Sequence, residues 1–150
     1  MAFLHFQGNL KQLELWIEKE FLPQIRWPAL FLLEGEMGSG KTTFVQLVCQ
    51  RFGYDLVTSP TFALHHVYDL PLMNYKVHHL DLFRLENEEE FRSLGVDEWI
   101  NDLDTSIFIE WPKNFLLSDL RMGRSTYHLT FKILSDTERE IFVDDPLTAL

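Results

Sequence analysis

Cysteine is nearly absent: Cys49 is the only one in the chain, so no internal disulfide is available. This fits a reducing compartment and a fold held by its core. Positive charge is scarce as well. Lys and Arg number 13 against 23 Asp and Glu, a formal net charge of −10. Affinity for a nucleic-acid backbone comes from clustered Lys and Arg, so this balance argues against unaided nucleic-acid binding and favours a protein partner or a basic surface. Long apolar runs are missing too. None approaches the roughly 20 residues of a membrane span, and the first residues lack the basic-then-apolar layout of a secretory leader. The expectation is a cytoplasmic protein with no membrane association. Repeats, low-complexity tracts and dividing linkers are also lacking, which leaves residues 1–150 as one domain whose 46% apolar content supplies a full core.

What the chain does have is Gly35-Glu36-Met37-Gly38-Ser39-Gly40-Lys41-Thr42, preceded by the apolar run Ala29-Leu30-Phe31-Leu32-Leu33. Phe44, Val45, Val48 and Phe52 follow at helical spacing up to Gly53. Strand, glycine-rich turn and helix make the context that GxxxxGK[ST] requires of a phosphate-binding loop. Glycines let successive N–H groups turn toward an anion, and the helix that starts at the loop adds its unpaired donors and dipole. Lys41 is placed to reach the terminal phosphates and Thr42 to ligate Mg²⁺. A nucleoside triphosphate is the expected ligand, with Glu36, Met37, Gly38, Ser39, Gly40, Lys41, Thr42 and Thr43 forming its cradle. Cys49, on the helix after the loop, reads as a buried inert thiol.

Elsewhere the pattern is a short strand at Phe3–Phe6, then a capping box of Asn9 with Gln12 and a helix that ends at Pro23. Val57–Phe62 is a polar loop in which Pro60 excludes a central strand. Two readings stand for its Ser59 and Thr61: an ordinary turn, or a switch that senses the terminal phosphate. Residues 63–68 and 75–80 read as a hairpin joined by residues 69–74. Glu86, Glu88, Glu89 and Glu90 open a helix that stops at Gly95, their charges matching its dipole. Asp97 is placed to cap a further short helix. Tyr127–Ile133 alternates as a half-exposed strand, and Ile141–Val143 returns as its hairpin partner.

A phosphate-loop enzyme needs a second acid at the end of a neighbouring strand. Glu110 closes Ile107-Phe108-Ile109, a run suited to the middle of a parallel sheet, and is assigned to the metal with Thr42. Asp81 closes a less apolar strand nearer an edge and is assigned to a water or the switch loop. His65-His66 and His78-His79 cannot chelate through both members of either pair, because adjacent strand residues face opposite ways. One from each strand can meet across the hairpin, but packed or surface histidines are the expectation.

Taken in order, GEMGSGKTT, SPTFAL, HLDLFRL, an acidic helix ending LGVDEW, and IFIEWP resemble the bacterial TsaE (YjeE) family over about Leu30 to Pro112, roughly half the chain. Departures are Glu36-Met37 where Asp-Leu is usual, and Phe62 and Phe83 where Tyr is common. The resemblance implies a P-loop NTPase-like α/β three-layer sandwich, with a mainly parallel central sheet and antiparallel hairpin additions. It further implies an ATP- and Mg²⁺-using ATPase that works with the TsaB–TsaD pair to make threonylcarbamoyladenosine beside the tRNA anticodon, tRNA being reached only through those partners. Gly40, Lys41 and Thr42 match the family's phosphate loop, Ser59, Pro60 and Thr61 its switch loop, and Asp81, Glu110 and Trp111 its other characteristic positions.

Three further readings compete with it. A small-molecule kinase on the same fold needs an arginine-bearing lid, for which Arg121 and Arg124 are the only pair. A guanine-nucleotide switch lacks its NKxD element. A module that holds ATP without turning it over is open, because no Gln or Arg announces itself as the water-positioning or charge-stabilising group.

Overall fold

The computed structural model describes residues 2–54, 65–70, 72, 75–102, 104–112 and 123–144. In chain order they form β1 (Ala2–Gly8), α1 (Leu10–Trp16), β2 (Ala29–Gly35), α2 (Lys41–Arg51), β3 (His65–Leu70), β4 (Tyr75–Asp81), α3 (Glu88–Arg92), α4 (Val96–Trp99), β5 (Thr105–Glu110), β6 (Ser125–Ile133) and β7 (Arg139–Asp144). The capping box forms as read: Gln12 N–H donates to Asn9 Oδ1 at 3.0 Å, and Asn9 N–H to Gln12 Oε1 at 2.8 Å. From α1 the chain continues through a π-helical turn, Ile17–Phe21, and a 3₁₀ turn, Leu22–Gln24, that contains Pro23.

Ala29 to Leu33 are all buried because β2 lies inside a seven-stranded sheet of order β1-β7-β6-β2-β5-β4-β3. β2 runs parallel to β5 and β6, and β5 parallel to β4; β3, β7 and β1 join by antiparallel pairing. A parallel strand has both faces covered, which is why its run is continuously apolar. Alternation sends Ala29, Phe31, Leu33 and Phe108 into one core with Leu13, Phe44 and Val48 of α1 and α2. It sends Leu30, Leu32, Ile107 and Ile109 into a second with Phe91 and Val96 of α3 and α4. The result is the three-layer sandwich. Phe31 packs its ring between Phe108, at 4.3 Å, and Tyr127, at 5.5 Å.

Several local expectations are corrected. β6 alternates as read from Tyr127 to Lys132, with Tyr127, Leu129 and Phe131 buried, but it is an interior strand between β2 and β7, Thr126 is fully buried, and Ile133 at its end is exposed. Its mixed polarity hides the parallel pairing to β2. β3 runs on to the buried Leu70, so Asp69 and Leu70 belong to the strand and not to the hairpin loop. α3 starts after Asn87, whose side chain accepts the Glu90 N–H at 2.9 Å, and not at Glu86. α4 is entered through Gly95 at φ 78 with no side-chain cap, while Asp97 pairs with Arg92 at 2.7 Å. Arg124 is not part of a lid: it is buried and donates to the carbonyls of Ile100 (2.8 Å), Asp102 (2.8 Å) and Thr105 (3.2 Å). Arg121 and the mixed segment 113–122 lie outside the described residues.

His65 and His78 do meet across the β3–β4 hairpin, Nε2 to Nδ1 at 2.8 Å, and the His78 ring stacks on Trp99 at 3.9 Å. Burial pushes His78 down from 6.5 to about 4. An unfolded chain takes up this proton near pH 6.5 and the folded one resists until about 4, so the unfolded state binds more protons in between. Stability from this site is therefore full above about pH 6.5 and is lost as pH falls toward 4. Melting temperatures recorded across that window should drop, with a shallower fall in His78→Phe. An equal slope in the variant would assign the acid sensitivity elsewhere.

Candidate functional site

Two glycines of the phosphate-loop motif are dictated by the backbone. A Cβ on Gly35 would meet the Phe131 carbonyl oxygen and Ser39 Oγ, each at 2.7 Å. Gly40, at φ 103, makes the left-handed entry into α2. Within the turn Ser39 N–H donates to the Glu36 carbonyl at 3.0 Å. The Ser39 hydroxyl is buried with no hydrogen-bond partner among the described residues, which suits a loop whose partner is a ligand.

Lys41 is buried, with Nζ donating to the Gly35 carbonyl at 2.5 Å and the Glu36 carbonyl at 3.1 Å. The same ammonium lies 3.9 Å from the centre of the Trp111 ring. Burial lowers its pKa, and the charges of Glu110 and Asp81 work in the opposite direction. The Thr42 hydroxyl lies 2.9 and 2.8 Å from the two carboxylate oxygens of the buried Glu110. Asp81 stands opposite Glu110 in the β4–β5 register and accepts the Phe83 N–H at 3.1 Å. Trp111 follows at φ 58, its N–H donating to the Leu33 carbonyl at 3.2 Å and its ring 5.0 Å from that of Phe83. Lys41, Thr42, Asp81, Glu110 and Trp111 thus gather at the carboxyl ends of β2, β4 and β5, where open parallel sheets bind ligands.

Gly38, Ser39, Gly40 and Thr43 line an open cleft of about 520 Å³ together with Phe6, Asn9, Leu13, Phe131, Thr137 and Arg139. Met37 is 71% exposed at the loop tip, and Glu36 is exposed beside it. Ser59 and Thr61 lie outside the described residues. Thr42 and Glu110 supply a hydroxyl and a carboxylate, the hard oxygen donors that Mg²⁺ selects. No group of three His, Cys, Asp or Glu suited to a metal occurs among the described residues.

Two features escape sequence reasoning. His79 Nε2 lies 2.5 Å from Glu110 Oε2, and His79 Nδ1 lies 3.1 Å from Tyr68 Oη. A signal existed: His79 stands two residues before Asp81 and so shares its face of β4. Arg139 Nη2 donates to the Gly38 carbonyl at 3.2 Å, bringing the last hairpin onto the phosphate loop. That contact depends on long-range sheet order and leaves no local trace.

The family model described as "Threonylcarbamoyl adenosine biosynthesis protein TsaE" matches residues 9–141. The tRNA threonylcarbamoyladenosine biosynthesis protein TsaE of Borreliella burgdorferi is 38% identical over 131 residues, covering 87% of this chain and 91% of that one. The protein of the same name from Bacillus subtilis is 34% identical over 113 residues, 73% of this chain and 65% of its own. The crystal structure of Bacillus subtilis YdiB superposes with a TM-score of 0.61 at 23% identity, over 97% of this chain and 88% of that one, and shares the fold. The match over residues 9–141 takes in the loop, both strand-end acids and Trp111 together, and by it this chain belongs to the TsaE family.

Proposed function

We propose that this protein binds ATP with Mg²⁺ and hydrolyses it in tRNA threonylcarbamoyladenosine biosynthesis, acting in the cytoplasm with the TsaB–TsaD pair. The observation that carries the reading is the convergence of Lys41, Thr42, Asp81 and Glu110 at one end of the parallel strands. Lys41 would leave its two carbonyls for the terminal phosphates. Thr42 and Glu110 would hold Mg²⁺, which when bound neutralises charge on the phosphate oxygens. Asp81 orders the chain after β4 through Phe83 and stands ready to orient a water. The cleft beside Gly38–Gly40 is apolar enough for a nucleoside, with Asn9 and Thr137 as polar contacts. No helix among the described residues is long and apolar enough to cross a membrane.

Among the described arginines, Arg124 is committed to backbone carbonyls beneath the sheet. Arg139 holds Gly38 and its own hairpin. Arg84, past the end of β4, is exposed and lies outside the contacts that join Lys41, Thr42 and Glu110. Among the described residues those contacts include no arginine for charge developing in the transition state, and such an arginine supplied in trans contributes on the order of a thousandfold. Weak hydrolysis by the isolated chain and strong stimulation by TsaB–TsaD are expected, with Ser59 and Thr61 ordering at that interface. The net charge of −10 makes tRNA a poor direct activator. Steady-state assays with each component added in turn test this. A full rate from the isolated chain, or stimulation by tRNA without the proteins, would overturn it.

A further inference from the structure

Glu110 closes β5 in the middle of the sheet, nearly excluded from water at 4% exposure. A carboxylate buried this way has two oxygens and several lone pairs to satisfy, and an unsatisfied one costs a full desolvation penalty. The Thr42 hydroxyl has one proton to give, although it lies within reach of both oxygens. The other donor in contact is His79 Nε2, at 2.5 Å from Oε2. His79 comes from β4, opposite Phe108 in the register and so diagonal to Glu110, and is itself 5% exposed. Its other ring nitrogen faces Tyr68 Oη, a group 2% exposed. Burial raises the Tyr68 pKa, so this group stays a phenol and has a proton to donate. The Glu110 carboxylate can only accept, so the proton in its contact with His79 sits on Nε2, while the Tyr68 hydroxyl faces Nδ1 from the other side. The carboxylate thus sets the tautomer, and Tyr68 holds the ring from its far side.

We propose that His79 is a positioning residue: with Tyr68 behind it, it clamps one oxygen of Glu110 so that the carboxylate is held against Thr42 in the geometry that receives the metal. This rests on the reading of Thr42 and Glu110 as metal-binding residues. Outer partners that orient a ligand in this way are worth roughly 10–100-fold in metal affinity. Glutamine at position 79 places an N–H near the Nε2 position and should preserve the clamp, whereas leucine fills similar space with no donor. Tyr68→Phe keeps the imidazole but removes the hydroxyl that holds its far side.

Mn²⁺ binding to the protein–ADP complex, followed by electron paramagnetic resonance, reads the effect without any turnover. The dissociation constant should rise about 10–100-fold in His79→Leu, stay within about threefold of wild type in His79→Gln, and fall between them in Tyr68→Phe. ADP affinity measured without metal should be unchanged in all three. Metal-free crystals of His79→Leu should show the Glu110 carboxylate turned away from Thr42. Wild-type Mn²⁺ affinity in a folded His79→Leu, or equal losses in the leucine and glutamine variants, would overturn the proposal. If wild type binds no Mn²⁺ with ADP while Glu110 remains clamped in the crystal, the metal reading of the site fails instead.

Discussion

Glu110→Gln is expected to retain nucleotide binding and to lose ATP hydrolysis in the assembled complex by a hundredfold or more, about 2.7 kcal/mol of barrier. The substitution is nearly isosteric, so both cores stay intact. What it removes is the negative charge facing Thr42 at 2.8–2.9 Å, together with one acceptor for His79. Lys41→Ala and Thr42→Ala serve as comparators because they fail for different reasons. The first deletes a cation that rests on the Gly35 and Glu36 carbonyls within reach of the phosphates. The second deletes an oxygen ligand. Titration of Mg²⁺ should separate them, with the larger change in metal dependence in Thr42→Ala and Glu110→Gln. Wild-type hydrolysis by Glu110→Gln alongside its partners would move the metal role elsewhere, and coincident Mg²⁺ curves for Lys41→Ala and Thr42→Ala would count against their assignments.

A second large effect is expected far from the phosphates. Arg124→Met should destabilise the fold by about 3–5 kcal/mol, read as a lower denaturant midpoint in urea unfolding. The guanidinium is 2% exposed and ties the end of α4 to the start of β5 through Ile100, Asp102 and Thr105. Methionine keeps much of the side-chain volume while removing both the hydrogen bonds and the charge that faces Asp102. Each buried carbonyl left without its donor costs about 1–3 kcal/mol. Arg124→Lys should fall between, since an ammonium cannot span three carbonyls with the fixed fork of a guanidinium. A loss below about 1 kcal/mol in Arg124→Met would show that water replaces the fork at little cost.

Legibility in the sequence followed the range of each interaction. The phosphate loop, its strand and its helix lie within Ala29–Arg51, so glycine placement and apolar spacing were enough to find them. The place of Glu110 at the end of β5 is legible because an apolar run ending in an acid marks the carboxyl end of a parallel strand. The Asn9–Gln12 box was equally local. Where the partner comes from another part of the chain, residue type misled. Arg124 enters the sequence reading only as half of a pair that a competing kinase lid would need, because nothing nearby in sequence shows the carbonyls that bury it. Asp97 looked like a cap, but Gly95 already turned the chain. His79 read as a packed histidine, which it is; its bond to Glu110 arises only when β4 and β5 lie side by side.

The order of the sheet also bears on how the chain is made. Among the described residues β1 pairs only with β7, and β2 has β6 as one of its two neighbours. A ribosome delivers β1 well before β7, so among the described strands β1 waits without its partner until Arg139–Asp144 has emerged. The phosphate loop's own flank, at Phe131 and Arg139, arrives late as well. Closing such distant pairs carries the chain-entropy cost that slows non-local topologies. Nascent chains halted before residue 125 should therefore remain protease-sensitive through β1 and β2, and release of β7 should convert the sheet to a resistant form in one step.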